Sequence, residues 1–396
     1  MKNILLVLNM SPGELDWIIP ILDIAKTQYH IRITVIYDKK SIYQNLKKNY
    51  HLKKNLTDIV DKEIVFDKFP SLFYRVVWML PYKPLKKWYN LVINRLFGQR
   101  LINELQALGS DVTVLSESGT DTLSYKIVKK VFPDFYYVRF PHSFFINGNK
   151  KDGRPIHVQK KVNYDKMLVA SEHDVGFYAL KHPVDNIEVV GYPFLEKVWL
   201  EKFVKDAEEE SEQSAMLLLS RNIHPVNLKK SSYDYLINST IECARQLGMK
   251  LIVKPHPREK KSYLLKRLNR ANGLAYEISY AHPLILAKRA RLIVALNTSA
   301  CILPLALDKL VIDFWLGNEG NHVVGRRIFK ELGLVVSVDT KEDLLLQAES
   351  IINNNFDKEQ ILSNYKEHVR FEPKPSSKAI KLIHDGMMFK NQTKQT

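Results

Sequence analysis

The apolar residues of the first half of this chain form short runs that alternate with longer amphipathic segments. Runs rich in Ile, Leu and Val are typical of buried strands, and the segments between them have helical periodicity. Strands that alternate with helices indicate a parallel sheet covered on both faces. The predicted strands are 4–8, 31–37, 112–115, 136–139, 166–170 and 187–190, and the predicted helices are 14–27, 121–131 and a short one from 171.

The same alternation restarts after residues 201–214, an acidic and polar stretch that we interpret as a linker. The predicted strands are then 215–219, 251–253, 292–295, 309–313 and 334–336, with helices at 233–247, 260–271, 283–290, 300–307 and 341–353. The predicted fold class is α/β, with two doubly wound Rossmann-like domains facing a cleft. We place the domains at 1–200 and 215–375, followed by a C-terminal helix at 376–390.

Length and composition narrow the classes of function. The chain has 396 residues, enough for two domains. A formal net charge of +16 favours an anionic partner: nucleic acid, a membrane surface or a phosphorylated substrate. The two cysteines form no metal or disulfide pattern, and no apolar run reaches 18 residues. We therefore expect a cytoplasmic protein without a membrane span.

The motif Lys254-Pro255-His256-Pro257, followed by Arg258-Glu259, comes directly after an apolar strand. Proline cannot donate to a sheet ladder, so the strand must stop here and leave His256 on a rigid loop. Open α/β sheets bind ligands at this carboxyl edge, and the basic side chains of the motif suit a phosphate or a carboxylate. The alternative is a loop histidine that caps a helix.

Two further strand ends carry polar residues. Asn297-Thr298-Ser299 follows the run 291–296, and Ser220-Arg221-Asn222 follows the run 215–219. Thr298 and Ser299 are expected to cap a helix and to present its first N–H groups to a phosphate. Arg221 is either a phosphate ligand or a surface arginine.

The first half offers a general base and an acceptor side. His142, in Pro141-His142-Ser143, is the first candidate base, and Glu117 is the second. His142 could instead be a packed loop histidine. The first loop, with Ser11, Gly13 and Glu14, would shape the acceptor side, and it lacks a dinucleotide fingerprint.

Residues 39–100 are basic and aromatic. Six lysines, without an acid among them, fall between positions 39 and 54. Such segments lie at anionic membrane surfaces, whereas single-stranded nucleic acid and a solvated helical face are the two alternatives.

The K-P-H-P and N-T-S turns, together with two doubly wound domains, resemble the GT-B glycosyltransferases of bacterial surface polysaccharides. The likeness is greatest to the sialyl-, polysialyl- and Kdo-transferases, which use CMP-activated acidic sugars. Their "HP" motif matches His256-Pro257, and their Ser/Thr pair matches Thr298-Ser299. Their acidic base motif is matched only in part by Ser116-Glu117-Ser118-Gly119. Wall teichoic acid glycerophosphotransferases, which use CDP-glycerol, are a more distant likeness through Pro141-His142-Ser143.

This resemblance implies a transferase that moves an acidic sugar from a CMP donor to a hydroxyl of a capsule, lipopolysaccharide or O-antigen glycan. No D-x-D metal motif stands at a strand end, so we predict neither a metal nor another cofactor. The basic stretch 39–100 is expected to hold the protein at the inner face of the cell membrane. A CDP-polyol phosphotransferase, a UDP-sugar transferase or 2-epimerase of the same fold, and a basic nucleic-acid-binding protein are the alternatives. The predicted donor-binding residues are Ser220, Arg221, Asn222, Lys254, His256, Pro257, Arg258, Glu259, Asn297, Thr298 and Ser299.

Overall fold

The computed structural model describes residues 2–9, 15–65, 98–117, 123–140, 150–151, 154–155, 164–179, 183–205, 212–223, 228–316 and 328–392. The chain divides into two compact units. The first unit comprises 1–142, 160–193 and 374–396, and the second comprises 143–159 and 194–373.

The first unit is built on a parallel sheet of seven strands in the order β3-β2-β1-β4-β5-β8-β9. The central strand β1 is buried along its whole length and pairs in parallel with β2 on one side and β4 on the other. Such a strand needs apolar side chains on both faces, which its sequence NILLVL provides apart from the first residue. The strands are β1 Asn3–Leu8, β2 Arg32–Tyr37, β3 Lys62–Val65, β4 Val112–Ser116, β5 Tyr136–Arg139, β8 Lys166–Val169 and β9 Ile187–Val189. In the segment 143–159, which belongs to the second unit, β6 Lys150–Lys151 pairs antiparallel with β7 Arg154–Pro155.

The second unit repeats this architecture with six parallel strands in the order β12-β11-β10-β13-β14-β15. Its central strand β10 pairs with β11 and β13. The strands that follow β10 in the chain are added first on one side of it, as β11 and β12, and then on the other side, as β13 to β15. The predicted class of α/β fold with two doubly wound parallel sheets is therefore confirmed. The strands are β10 Glu212–Leu219, β11 Lys250–Lys254, β12 Tyr276–Ile278, β13 Ala290–Ala295, β14 Ile312–Phe314 and β15 Val336–Val338.

Helices connect most of the successive strands. Residues 98–106 are also helical. The helices with defined bounds are Leu15–Thr27, Lys40–Lys48, Tyr50–Ile59, Leu123–Val131, Glu172–Ala179, Lys197–Lys205, Lys230–Gln246, Lys261–Leu268, Pro283–Arg289, Ile328–Glu331, Lys341–Ile352, Glu359–His368 and Pro375–Gln392.

Two segments differ from their predicted structure. The predicted linker 201–214 is partly helical, because Trp199 and Phe203 give helix Lys197–Lys205 a buried face. The predicted α-helix at 300–307 is instead two 3-10 helices, Ser299–Ile302 and Pro304–Leu307. Pro304 has no N–H for an α-helical hydrogen bond, and its ring disfavours the preceding turn, so the helix is broken here into two short turns.

The C-terminal helix returns to the first unit, where it packs against helix Leu15–Thr27 and β5. Lys390 forms a salt bridge of 2.9 Å with Asp165, and the His384 ring lies 4.9 Å from the Tyr29 ring. Gly386 faces Tyr136 so closely that a Cβ atom at this glycine would lie 2.1 Å from a carbon of the ring. A glycine is therefore required for the helix to pack here.

We expect Gly386→Ala to destabilise the protein by about 1–3 kcal/mol, because the added methyl group must displace the Tyr136 ring or the helix. Gly176→Ala is the matched control, since it also lies within a helix and its Cβ would meet no atom within 4 Å. That control should be stabilised by up to about 1 kcal/mol through helix propensity. Urea unfolding of both variants measures the difference, and equal stabilities would contradict the packing argument.

Candidate functional site

The predicted donor-binding residues of the second unit meet at one edge of its sheet. Ser220 follows β10, Lys254 ends β11, and Asn297 stands two residues after β13. All three strands are parallel, so their carboxyl ends share this edge. The strand order reverses between β10 and β13, which is the position where open α/β sheets bind ligands.

Arg221 is fixed at this reversal point. Its Nη1 donates a hydrogen bond to the carbonyl oxygen of Asn297, and its guanidinium lies 5.4 Å from the centre of the Trp315 ring. Burial lowers the pKa of Arg221 to about 10, and the negative charge of Asp313 opposes that shift. The group is still cationic at neutral pH, so it can neutralise a phosphate.

Asn297 forms the turn that receives Arg221. Its φ is +45°, in the left-handed region that asparagine tolerates better than most residues. The backbone N–H of Asn297 donates to Oδ1 of Asp313 at 2.8 Å. Asp313 is only 4% exposed, so this carboxylate is a buried anchor for the turn. Backbone strain of this kind often marks a functional site.

Thr298 and Ser299 are half-buried just beyond this turn. Thr298 Oγ1 accepts a hydrogen bond from the N–H of Ala300 at 3.5 Å, as expected of a cap. The helix that follows is one short 3-10 turn. Such a turn has no α-helix dipole to offer a phosphate, so only local N–H and hydroxyl donors are present here.

His256 lies on the tight turn predicted from the two prolines. The N–H of Glu259 donates to the carbonyl oxygen of His256 at 2.8 Å, which closes the turn. The N–H of Arg258 donates to Nδ1 of His256 at 3.1 Å. Since Nδ1 accepts, the neutral imidazole carries its proton on Nε2. The ring is half-buried, whereas Pro257 and Arg258 are exposed.

Glu259 lies behind this turn, where its carboxylate accepts several hydrogen bonds. Oε2 accepts from the N–H of His256 at 3.0 Å, and Oε1 accepts from Ser220 Oγ at 2.9 Å and from the Tyr233 hydroxyl. Burial raises the pKa of Glu259, and the donors from Tyr233, Ser220 and His256 oppose it. The Glu259 carboxylate therefore holds neighbouring protein groups in place. Its direct contact with a nucleotide donor stays a prediction.

Two other predicted donor ligands have local contacts. Lys254 Nζ lies 3.4 Å from the carbonyl oxygen of Tyr280. Asn222 Nδ2 donates to the carbonyl oxygen of Ile223 at 3.2 Å. Both side chains are half-buried at the same edge of the sheet.

Of the residues predicted in the first unit, the structure describes only Glu117. This residue is 1% exposed, and its Oε1 accepts a hydrogen bond from the N–H of Asn9 at 2.8 Å. Its carbonyl oxygen accepts from Arg139 Nε at 3.5 Å. The carboxylate thus joins the ends of β1 and β4. The other predicted residues, Ser11, Gly13, Glu14 and His142, lie outside the described residues.

Three members of the site were missed by sequence analysis: Tyr233, Asp313 and Trp315. Asp313 and Trp315 flank the last residue of β14. A polar residue at the end of a predicted strand is a signal that could have identified Asp313. Tyr233 lies within a helix, and no local pattern distinguishes it from a core residue. Within the described ranges, no group of three His, Cys, Asp or Glu residues could hold a metal ion.

Comparisons with known proteins extend the fold assignment. No family model matches the chain, and no curated protein is similar to it in sequence. UDP-GlcNAc 2-epimerase of Methanocaldococcus jannaschii, solved with UDP-GlcNAc and UDP, has a similar structure with a TM-score of 0.61 at 15% identity, over 97% of this chain and 99% of that one. The UDP-GlcNAc 2-epimerase of Neisseria meningitidis, bound to UDP-GlcNAc, gives 0.59 at 12% identity, over 98% and 100%.

A transferase has the same kind of fold. MurG of Acinetobacter baumannii is similar with a TM-score of 0.54 at 10% identity, over 97% of this chain and 100% of that one. These likenesses show that the chain has the GT-B fold, with two doubly wound α/β units. The resemblance to GT-B enzymes predicted from K-P-H-P and N-T-S is thus confirmed for the fold.

The pairing of Arg221 with Asp313 leads to a stability prediction. We expect Arg221→Ala to cost about 2–4 kcal/mol, because it removes the bond to Asn297 and leaves Asp313 without its counter-charge. Adding Asp313→Asn should recover at least about 1 kcal/mol, since an amide oxygen can still accept from the Asn297 N–H. Urea unfolding of the two single variants and the double variant measures the coupling. Strictly additive effects would show that the charges do not interact.

Proposed function

We propose that this protein is a nucleotide-sugar enzyme whose donor binds at the carboxyl edge of the second sheet. The observation that carries the proposal is the position of Arg221 at the reversal between β10 and β13, bonded to the Asn297 turn. The basic and hydroxyl groups of this edge would hold the phosphates, and their fixed positions would stabilise charge that grows as the nucleotide leaves. The proposed phosphate ligands are Arg221, Lys254, His256, Arg258, Thr298 and Ser299.

A UDP-sugar is a better candidate donor than a CMP-linked acidic sugar. The structures similar to this chain include two epimerases solved with UDP-GlcNAc, one of them also with UDP. A diphosphate also suits this edge of the sheet. The hydrogen-bond donors of the edge follow three different strands, so they are spread widely enough to contact two phosphate groups. CMP and CDP donors remain the alternatives that a ligand comparison must separate.

Two reactions fit such a donor site. In a transfer, a base in the first unit would deprotonate an acceptor hydroxyl, and His142 is the first candidate for that base. In an epimerisation, the sugar would be inverted and no acceptor would be consumed. The similar structures include both classes, and the proposed phosphate ligands of the second unit would serve either reaction. Product analysis with UDP-GlcNAc, with and without a glycan acceptor, distinguishes them.

We expect UDP to raise the melting temperature of the protein, because a ligand that binds only the native state stabilises it. His256→Ala should weaken UDP binding by about tenfold or more, since a hydrogen bond to a charged group contributes about 1.5–3 kcal/mol. Differential scanning fluorimetry with UDP, CMP, CDP, GDP and ADP measures the shift.

Arg270→Ala is the control for a loss of positive charge, since this exposed arginine follows a helix of the same unit away from the strand ends. It should bind UDP as the native protein does. A shift with CMP alone would favour the acidic-sugar transferase, and one with CDP alone the polyol-phosphate transferase. Folded protein that responds to no nucleotide, but binds random oligonucleotides in a salt-sensitive way, would overturn the proposal.

We also propose that the basic helices of the first unit contact an anionic membrane surface. Helices Lys40–Lys48 and Tyr50–Ile59 bury Ile42, Leu46, Leu52, Leu56 and Ile59, and their outward faces carry lysines. Lys47, Lys48 and Lys54 are exposed, and Tyr50 is 65% exposed beside them. No helix within the described ranges is long and apolar enough to cross a membrane. A surface contact would bring the enzyme to a lipid-linked acceptor.

Replacing Lys47, Lys48 and Lys54 by glutamate should abolish sedimentation with vesicles that contain phosphatidylglycerol. Each lysine near such a surface contributes about 1 kcal/mol. The control replaces Lys261, Lys266 and Lys366, three exposed lysines of the second unit, so that the net charge changes equally. Equal loss in both variants would show that net charge alone determines binding, and binding to neutral phosphatidylcholine vesicles would contradict the electrostatic basis.

A further inference from the structure

Two His-Pro dipeptides of the second unit, at His256 and His282, lie wholly within the described residues and have the same local geometry. In each, the histidine Nδ1 accepts a hydrogen bond from the backbone N–H two residues later. The proline occupies the first position after this cap, where its missing N–H costs nothing. The dipeptide therefore acts as a histidine cap in both places.

The cap at His282 begins a regular helix. Helix Pro283–Arg289 follows directly, and Leu284 N–H lies 3.3 Å from His282 Nδ1. The imidazole is fully buried and stacks on Phe203, with 4.0 Å between the ring centres. The helix and the surrounding core are sufficient to fix this ring.

The cap at His256 has no such helix behind it. The turn ends at Glu259, and the next helix begins only at Lys261. Glu259 supplies what the helix lacks, since its Oε2 accepts from the His256 N–H while its own N–H donates to the His256 carbonyl oxygen. The bond from the His256 N–H to the Glu259 carboxylate is one half of a capping box, and a backbone bond of the turn takes the place of the other half.

Glu259 is itself held in place by neighbouring elements. Ser220, at the end of β10, donates to its Oε1 at 2.9 Å, and Tyr233, in the helix Lys230–Gln246, donates to the same oxygen. Tyr233 is fully buried, and its ring lies 5.4 Å from the guanidinium of Arg267. The position of the His256 turn is thus coupled to β10 and to a packed helix.

We propose that Glu259 is a positioning residue that fixes the turn in which His256 keeps Nδ1 as an acceptor and Nε2 as the protonated nitrogen. Held in this form, His256 presents an N–H donor that a phosphate oxygen of the nucleotide can accept. Its use on a phosphate rests on the proposed function, whereas the turn and the tautomer do not.

The tautomer can be measured in the full-length protein without a nucleotide. Long-range proton–nitrogen correlation spectra of protein labelled with ¹⁵N-histidine distinguish Nδ1-protonated from Nε2-protonated rings. His256→Gln and His282→Gln samples assign the two signals. We expect both rings to be Nε2-protonated in the native protein, with His282 as the internal reference.

Glu259→Ala should leave His256 in a mixture of tautomers and leave His282 unchanged. Glu259→Gln should preserve the His256 tautomer, because an amide oxygen can accept from the His256 N–H and glutamine also serves in a capping box. Should Glu259→Ala fail to fold, Tyr233→Phe gives a smaller change in the same direction, with Tyr235→Phe on the same helix as its matched control. An unchanged His256 signal in Glu259→Ala, or an equal change at His282, would overturn the proposal.

Affinity for UDP provides the second readout. Glu259→Ala should bind UDP about tenfold more weakly, whereas Tyr235→Phe should bind as the native protein does. If the native protein binds no UDP but the tautomer result holds, the donor site fails and the positioning role stands. If UDP binds equally well to native and Glu259→Ala proteins, the role of Glu259 in positioning His256 for a phosphate is overturned and the donor site stands.

Discussion

The guanidinium of Arg221 is kept half-buried at the end of β10 by three groups from the ends of two neighbouring strands, β13 and β14. The Asn297 carbonyl accepts its hydrogen bond, the Trp315 ring covers it, and the charge of Asp313 balances it. Asp313 also holds the N–H of Asn297, so one buried carboxylate supports both the cation and the turn that binds it. The remaining features of the candidate site depend on this arrangement, because it fixes where a phosphate can meet a positive charge.

The first unit uses a similar device at the corresponding edge. Asn9 follows its central strand and donates its N–H to the carboxylate of Glu117, at the end of the neighbouring strand. At 1% exposure, this carboxylate is committed to joining two strands and has little surface left for a substrate. A general base must reach the proton that it removes. Glu117 is therefore a weaker candidate base than the sequence alone indicates, and His142 stays the first candidate.

The strands were predictable because a doubly wound sheet buries both faces of its central strands. Short apolar runs such as 215–219 and 292–295 are typical of strands that are buried on both faces, and both are strands in the structure. The α-helix predicted at 300–307 is wrong because of one residue, Pro304. The apolar pattern shows which positions are buried, but it does not show that a proline breaks the helix. The turns around His256 and Asn297 were predictable in outline, since proline and asparagine constrain the backbone locally. Their supports were not, because Tyr233 and Glu259 are 26 residues apart and Asn297 and Asp313 are 16 apart.

The division of the chain into two units suggests how its chemistry is divided. Transfer and epimerisation both begin with the departure of a nucleotide, so both need fixed donors for the growing negative charge. The groups that we propose for this role lie in the second unit, at the ends of β10, β11 and β13. What happens to the sugar afterwards depends on whether a base activates an acceptor or acts on the sugar itself, and the candidate bases belong to the first unit. Changes in the second unit should therefore alter nucleotide affinity in either reaction, whereas changes in the first unit should alter which product forms.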